Sequence, residues 1–214
     1  LGGMEYRLSA KHLGQESVTL PAGSFQAAKL EILGLRISSG PFRSAYAFTH
    51  TVWFVADLRR VVKVVHKSHD VMRSQVDDDS LELVAHSASG QPLPQAAAAP
   101  EATAAPKPAV DVSAALPRVG DTWTYRYVNG WKKDSPQTVV VKVEEAEAGR
   151  VTDKMSMRGG RGADERTHEG VAEVIERSVG RDVRVIEMLP YVQSLLTGLK
   201  PGEEKTLPNL ALVR

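Results

Sequence analysis

Apolar and polar positions alternate over short segments of this chain, which is the pattern of half-buried β-strands rather than of amphipathic helices. Residues 45–55 and 60–67 form the clearest pair of such segments. Residues 17–20 and 24–32 flank a Pro-Ala-Gly turn at 21–23, where proline restricts φ and glycine allows positive values. These patterns predict two antiparallel hairpins in the first part of the chain.

The alternation returns in the last part of the chain. Residues 122–128, 138–143 and 151–157 are predicted strands, and the first of them carries aromatic side chains on one face. Residues 169–179 fit either a strand or a short helix, and residues 189–196 fit a short helical turn. Strand patterns separated by frequent turns predict antiparallel β-structure here as well.

An Ala/Pro-rich stretch separates these two regions. Residues 1–87 form the first segment, residues 88–115 the linker, and residues 116–214 the second segment. The linker holds few large apolar side chains, so it cannot bury enough surface to offset the entropy of ordering it. The predicted fold is therefore mainly β, with two curved antiparallel part-domains, half-barrel or sandwich-like, and at most short helices.

Composition narrows the classes of function. The formal net charge is +1 and is spread evenly, which argues against nucleic acid as a partner. The chain has no cysteine, so disulfides and thiol catalysis are excluded. No apolar run is long enough to predict a membrane-spanning helix. The chain starts at Leu1 in strand-like sequence, which favours a piece of a longer protein over a complete one.

Three clusters of residues are candidate chemical sites. In residues 66–70, alternation places His66 and Asp70 on one face of a strand and His69 on the other, which suits a solvated strand end better than a metal site. The acidic triplet 77–79 lacks the spacing of a calcium loop and is interpreted as an acidic loop. The glycine-rich residues 159–162 lack the P-loop pattern and are interpreted as a flexible connection. We predict no catalytic residue, no metal and no cofactor.

Aromatic side chains are the best candidates for binding. At alternating strand positions they can line an apolar hollow or fill a core, and the core interpretation is favoured. Trp131, beside Gly130 and two lysines, is the aromatic residue expected to be exposed. The predicted ligand-binding residues are Trp53, Trp123, Tyr125 and Trp131, with Phe54 and Tyr127 as further aromatic candidates.

Several of these phrases resemble a family of bacterial envelope β-domains of unassigned function. In the family's order they are Gly120, Asp121, Trp123 and Tyr125; Leu199 and 201–203; 21–23 with Phe25; Trp53-Phe54; Val62-Lys63; and 82–84. The resemblance implies a curved antiparallel sheet around an apolar hollow, similar to the half-barrels of lipoprotein carriers. It brings no catalytic residues.

The order of these phrases is reversed about the linker. The second segment resembles the opening half of a domain, and the first segment resembles the closing half. Either the chain is cut from a tandem array, or the two segments complete each other within one chain or between chains, because open sheet edges tend to pair.

Two functional hypotheses follow. The first is a non-enzymatic structural or interaction protein of the bacterial envelope or extracellular space, self-assembling or pairing with another envelope protein through sheet edges. The second is a carrier for a lipid-like or other apolar ligand held in the hollow. Large side chains filling the hollow favour the first hypothesis, whereas an open hollow lined by Leu30, Ile32, Trp53 and Trp123 favours the second.

Overall fold

A computed structural model describes residues 3–38, 45–58, 60–69, 75–88, 118–147, 150–157, 163–169, 173–175, 199–206 and 210–213. Every regular element in these ranges is a β-strand. The strands are β1 Gly3–Leu20, β2 Gly23–Ser38, β3 Ala45–Val55, β4 Arg60–His69, β5 Gln75–Ser87, β6 Thr122–Val128, β7 Gln137–Glu147, β8 Arg150–Met157, β9 Ala163–Glu169, β10 Glu173–Ile175, β11 Glu204–Thr206 and β12 Leu210–Val213.

These strands form one antiparallel sheet that includes both segments. Neighbours along the sheet run from β10 through β9, β8, β7, β6, β5, β4, β3 and β2 to β1 and then β11, while β12 also pairs with β1. The chain therefore passes through most of the sheet as a meander, and its last strands return to the far edge. The prediction of a mainly β, antiparallel fold is confirmed, and the strands of the two predicted part-domains belong to a single sheet.

The sheet is strongly curved. Arg60 begins β4 and Asp153 lies in β8, four positions along the strand order. In a flat sheet these strands would stand about 19 Å apart, at about 4.8 Å per strand. Their side chains nevertheless approach to 3.4 Å. The curvature folds one face of the sheet onto itself, so a single sheet buries its own core.

Most of that core comes from alternating positions on the inner face. Leu30, Val52, Leu83, Tyr125 and Val141 are among its buried side chains and lie on five different strands. On each of these strands, polar or exposed residues alternate with the buried ones, which is the period-two pattern of a half-buried sheet. Residues from both segments share this core.

The hairpin predicted around the Pro-Ala-Gly turn is present, with Leu20 opposite Gly23. Gly23 has a φ of 130°, a conformation that side chains on an L-residue rarely adopt, so glycine is required at this turn. β1 is longer than predicted because it continues through a β-bulge between His12 and Gly14 instead of ending in a loop.

Other expectations need correction or lie outside the described residues. The acidic triplet 77–79 belongs to β5 and not to a loop, because Asp79 faces the core and is held there by hydrogen bonds. Within the ambiguous segment 169–179, residues 173–175 form a strand paired with β9. Three predictions lie outside the described residues: the helical turn at 189–196, the glycine-rich connection at 159–162, and the linker from residue 89 to residue 115.

Candidate functional site

The first segment meets the second along a strand pair, β5 with β6. Seven residue pairs run from Ser80 opposite Val128 to Ser87 opposite Thr122. The facing ends of the two strands are therefore adjacent in space, and a turn of two residues could connect them. The chain instead places all of residues 88–121 between them. The length of this connection is not needed to bring the two strands together.

A second junction lies at the opposite end of the sheet. β11 pairs with β1 at residues 9–11, and β12 pairs with β1 at residues 3–6. His12 anchors the connection: its Nδ1 donates to the Leu199 carbonyl at 3.2 Å, and its carbonyl accepts from the Gly202 N–H at 2.8 Å. Both ends of the first segment's sheet are thus extended by strands of the second segment.

A buried ion pair joins the two segments across the core. Arg60 Nη2 lies 3.4 Å from Asp153 Oδ2, and the two side chains are only 8% and 1% exposed. The Arg60 guanidinium also stacks on Trp123, with Cζ 4.6 Å from the ring centroid. Burying two charges is costly, so each charge depends on the other to remain in the core.

Hydrogen bonds from two tyrosines complete this junction. The Tyr125 hydroxyl donates to the Val61 carbonyl at 2.8 Å, and the Tyr127 hydroxyl donates to Asp79 Oδ2 at 2.9 Å. Asp79 Oδ1 also accepts from the Gly130 N–H at 2.9 Å. Any side chain at Gly130 would collide with the backbone of residue 78, so glycine permits this close approach. The aromatic strand β6 is therefore tied to the first segment at several points.

The structure separates the four residues predicted to bind a ligand. Trp123 and Tyr125 lie in the core on β6 and are fully packed. Trp53 projects to the opposite face, where its ring lies between Lys29 Nζ at 5.2 Å and Lys63 Nζ at 5.4 Å. Trp131 is 73% exposed in the loop after β6, as expected from its sequence context. These side chains do not converge on one site.

Sequence reasoning missed the charged residues of the junction. Arg60, Asp79 and Asp153 carry no local motif, and each looks like an ordinary strand or turn residue in the sequence. Only their burial distinguishes them. A signal was present for all three, because each shares the alternation of the apolar residues two positions away and is therefore on the apolar face of its strand.

One edge of the sheet lacks a strand partner in the described part of the chain. From Leu13 to Leu20, β1 pairs with β2 on one side, and no described strand pairs with its other side. An unpaired edge presents backbone N–H and C=O groups that can bind an additional strand. This edge segment, residues 13–20, carries Glu16, which forms a 2.7 Å ion pair with Lys29 on the neighbouring strand.

A pair of histidines lies in the core beside Asp79, at the junction between the two segments. His66 belongs to the candidate cluster 66–70, and its Nδ1 lies 2.7 Å from Nε2 of His50. Phe48 packs against both rings. Asp79 lies directly opposite His66 on β5. His69 lies on the opposite face, as the alternation predicts, and Asp70 is outside the described residues. Among the described residues, no group of three potential ligands is arranged to hold a metal ion.

The histidine pair predicts acid sensitivity. Burial, together with the neighbouring His66, holds the pKa of His50 well below its usual value. The unfolded chain takes up this proton near pH 6.5, whereas the folded protein does not, so this contribution to stability is complete above that pH and is lost as the pH falls. We expect His50 to contribute a decrease of up to about 1.4 kcal/mol per pH unit below pH 6.

The measurement is urea unfolding at pH 7.5 and pH 5 for the wild type and His50→Gln. The variant should lose less stability on acidification, and the difference between the two proteins removes contributions from His86, whose pKa is also lowered by burial. Identical pH dependence in both proteins would contradict the assignment.

Comparison with known proteins yields no relative for this chain. No family model, no curated protein and no solved structure matches it. Within the described residues, no helix has the length and apolar character required to cross a membrane. The envelope-domain resemblance therefore stays a prediction, carried by the short motifs on which it was based.

Proposed function

We propose that this protein is a non-enzymatic structural or interaction protein of the bacterial envelope or extracellular space, acting through sheet-edge pairing. The observation that carries the proposal is the junction between β5 and β6. Their ends lie opposite each other at Ser87 and Thr122, although residues 88–121 connect them. A connection much longer than the gap allows the two segments to pair within one chain or to exchange between chains.

The contacts across the junction favour such exchange. They consist of strand pairs together with specific polar contacts, among them the Arg60–Asp153 ion pair and the Tyr125–Val61 hydrogen bond. A second copy of the chain carries the same groups and can satisfy every one of them. Exchange of identical elements is a low-cost route to dimers, and head-to-tail exchange can continue into longer assemblies.

The filled inner face supports this function over that of a carrier. Leu30 and Ile32 are completely buried, and Trp123 is 3% exposed. These are side chains that would line an open hollow if the curved sheet enclosed a ligand on this face. They pack instead against one another and against residues of the other segment. The extracellular or envelope location rests on the motif resemblance and on the Ala/Pro linker, which is typical of connections between envelope domains.

The exchange can be tested with two forms of the full chain that carry different affinity tags. The two forms are mixed, unfolded in urea and refolded together at low and at high protein concentration. We expect mixed dimers or larger species at high concentration, detected by tandem affinity capture and native mass spectrometry. Chains mixed only after separate refolding are the control and should exchange slowly. A monomer at every concentration would refute exchange between chains.

A further inference from the structure

The edge segment, residues 13–20 of β1, continues an edge of the sheet that already accepts strands. Residues 9–12 of β1 bond on that side with residues 202–206, which run antiparallel to them. This pairing stops at the β-bulge between His12 and Gly14. Among the strands that the structure describes, none continues along the edge segment itself.

The turn at the end of β1 determines which backbone groups of the edge segment point outward. Because a two-residue turn separates them, Leu20 and Gly23 are a hydrogen-bonded pair between β1 and β2. The backbone groups of Leu20 are therefore directed to β2. Alternation then directs the N–H and C=O groups of Thr19, Ser17 and Gln15 to the open edge.

The other end of the edge segment leads to the same assignment. The His12 N–H donates to the Glu203 carbonyl at 3.1 Å, and the His12 carbonyl accepts from the Gly202 N–H at 2.8 Å, so both groups point to this edge. Alternation alone would give the even-numbered residues of β1 this direction. The β-bulge after His12 inserts one extra residue and shifts the outward direction to the odd-numbered residues.

The edge segment lacks the lysine and proline residues that commonly protect exposed sheet edges from pairing. Its sequence contains no lysine, arginine or proline. Its single charge, on Glu16, is paired with Lys29 of the neighbouring strand at 2.7 Å. The side chains of Gln15, Ser17 and Thr19 are polar and exposed. A second strand can therefore approach these three residues without burying an unpaired charge.

A second copy of the edge segment is complementary to the first. In an antiparallel pair, residues with outward groups must stand opposite each other, and each such pair exchanges two hydrogen bonds. A two-fold axis at Ser17 places Ser17 opposite its own copy and Gln15 opposite Thr19 of the other copy, which gives about six hydrogen bonds. A register shifted by two residues gives only about four. The axis at Ser17 also keeps the two Glu16 carboxylates from standing directly opposite each other.

We propose that two copies of this protein pair through the edge segment, antiparallel and centred on Ser17, to form a two-fold dimer with a continuous sheet. The partner is a second copy because the same strand supplies matching donors and acceptors at all three outward positions. This inference rests on the proposed function of sheet-edge pairing, but it joins chains that are already folded. An edge-paired dimer therefore dissociates on dilution, whereas an exchanged dimer persists until its chains unfold.

The test uses single-cysteine variants, since the chain has no cysteine of its own. Ser17→Cys places a thiol at the proposed axis, and Ser135→Cys is the matched control at an exposed position between β6 and β7. Each protein is refolded at low concentration, concentrated without unfolding, and treated with a short bismaleimide. We expect about tenfold more cross-linked dimer from Ser17→Cys, because pairing raises the effective concentration of its thiols. Equal yields from the two variants would overturn the proposal.

A second pair of variants tests the register. Under oxidation to a disulfide, chains with Gln15→Cys should link to chains with Thr19→Cys more readily than either variant links to itself, because only the mixed pair stands directly opposite. Self-linking of Thr19→Cys as strong as the mixed linking would contradict the antiparallel register.

A proline in the edge segment separates edge pairing from segment exchange. Thr19→Pro removes an outward N–H, and proline is tolerated on edge strands where the N–H faces solvent. Added to Ser17→Cys, it should lower the yield of cross-linked dimer several-fold, with circular dichroism verifying the fold. An unchanged yield would overturn the proposal. The substitution leaves the β5–β6 junction intact, so the refolding experiment on segment exchange gives a separate result.

Discussion

Replacing Arg60 by methionine will lower the free energy of unfolding by about 3–5 kcal/mol, because it leaves Asp153 buried without a counter-charge. Methionine keeps much of the apolar volume of the arginine stem, so the loss arises mainly from the uncompensated carboxylate and the lost stacking on Trp123. The measurement is urea denaturation at pH 7.5 followed by circular dichroism. An effect of this size would approach the total stability of many domains.

Two further variants test that explanation. Lys63 lies on the same strand as Arg60 and forms a partly exposed ion pair with Glu82 on β5, so Lys63→Met should cost about 1 kcal/mol or less. The double variant Arg60→Met/Asp153→Leu removes both buried charges and should recover most of the stability lost in Arg60→Met. A single Arg60→Met variant no less stable than Lys63→Met would contradict the role of the buried pair.

Substitution of Trp123 by alanine will destabilise the protein by about 3–5 kcal/mol, since it removes a large buried aromatic side chain and leaves a cavity. The indole also supports the Arg60 guanidinium, so its loss weakens the ion pair between the segments. We expect a large decrease in melting temperature and, because the core is shared, a simultaneous loss of structure in both segments.

Trp131→Ala is the matched control for this prediction. The residue is of the same type and lies in the same segment, but it is 73% exposed, so its removal should change stability by less than about 0.5 kcal/mol. A small effect of Trp123→Ala would indicate that the inner face tolerates empty space. That result would revive the hypothesis of a ligand held inside the curved sheet.

The two segments are therefore interdependent in their energetics, although they are separate in the sequence. Strand pairs with both edges of the first segment, a shared core and a buried ion pair link them. Either segment alone would have low stability, because it would expose an apolar face and at least one long strand edge. This is the physical reason for which we propose exchange between chains at high protein concentration.

Elements of the fold that depend on neighbouring residues in the sequence could be predicted, and those that depend on pairing with distant residues could not. The strands 45–55 and 122–128 were predicted with the bounds that the structure has, because alternation is a local property of the sequence. The extension of β1 through its bulge, and the short strands β11 and β12, were not predicted. These elements are stabilised by pairing with distant residues, and their own sequences carry little strand signal.

The candidate site shows the same division. The exposed position of Trp131 was predictable from its loop, since glycine and two lysines adjoin it. The separation of the aromatic residues was not predicted: Trp53 and Trp123 project to different faces of the sheet. The contact between Arg60 and Asp153 was also not predictable, because the curvature of the sheet brings β4 and β8 together.

The sequence by itself determined that this chain forms antiparallel β-structure, where the clearest strands and turns lie, and that an Ala/Pro-rich stretch divides it. These properties follow from local alternation, turn chemistry and composition, each of which acts over a few residues. Only the tertiary structure decided that the two segments share one sheet and that Arg60 and Asp153 meet in its core. Those outcomes depend on the curvature and registry of the sheet, which sum contributions from residues far apart in the chain.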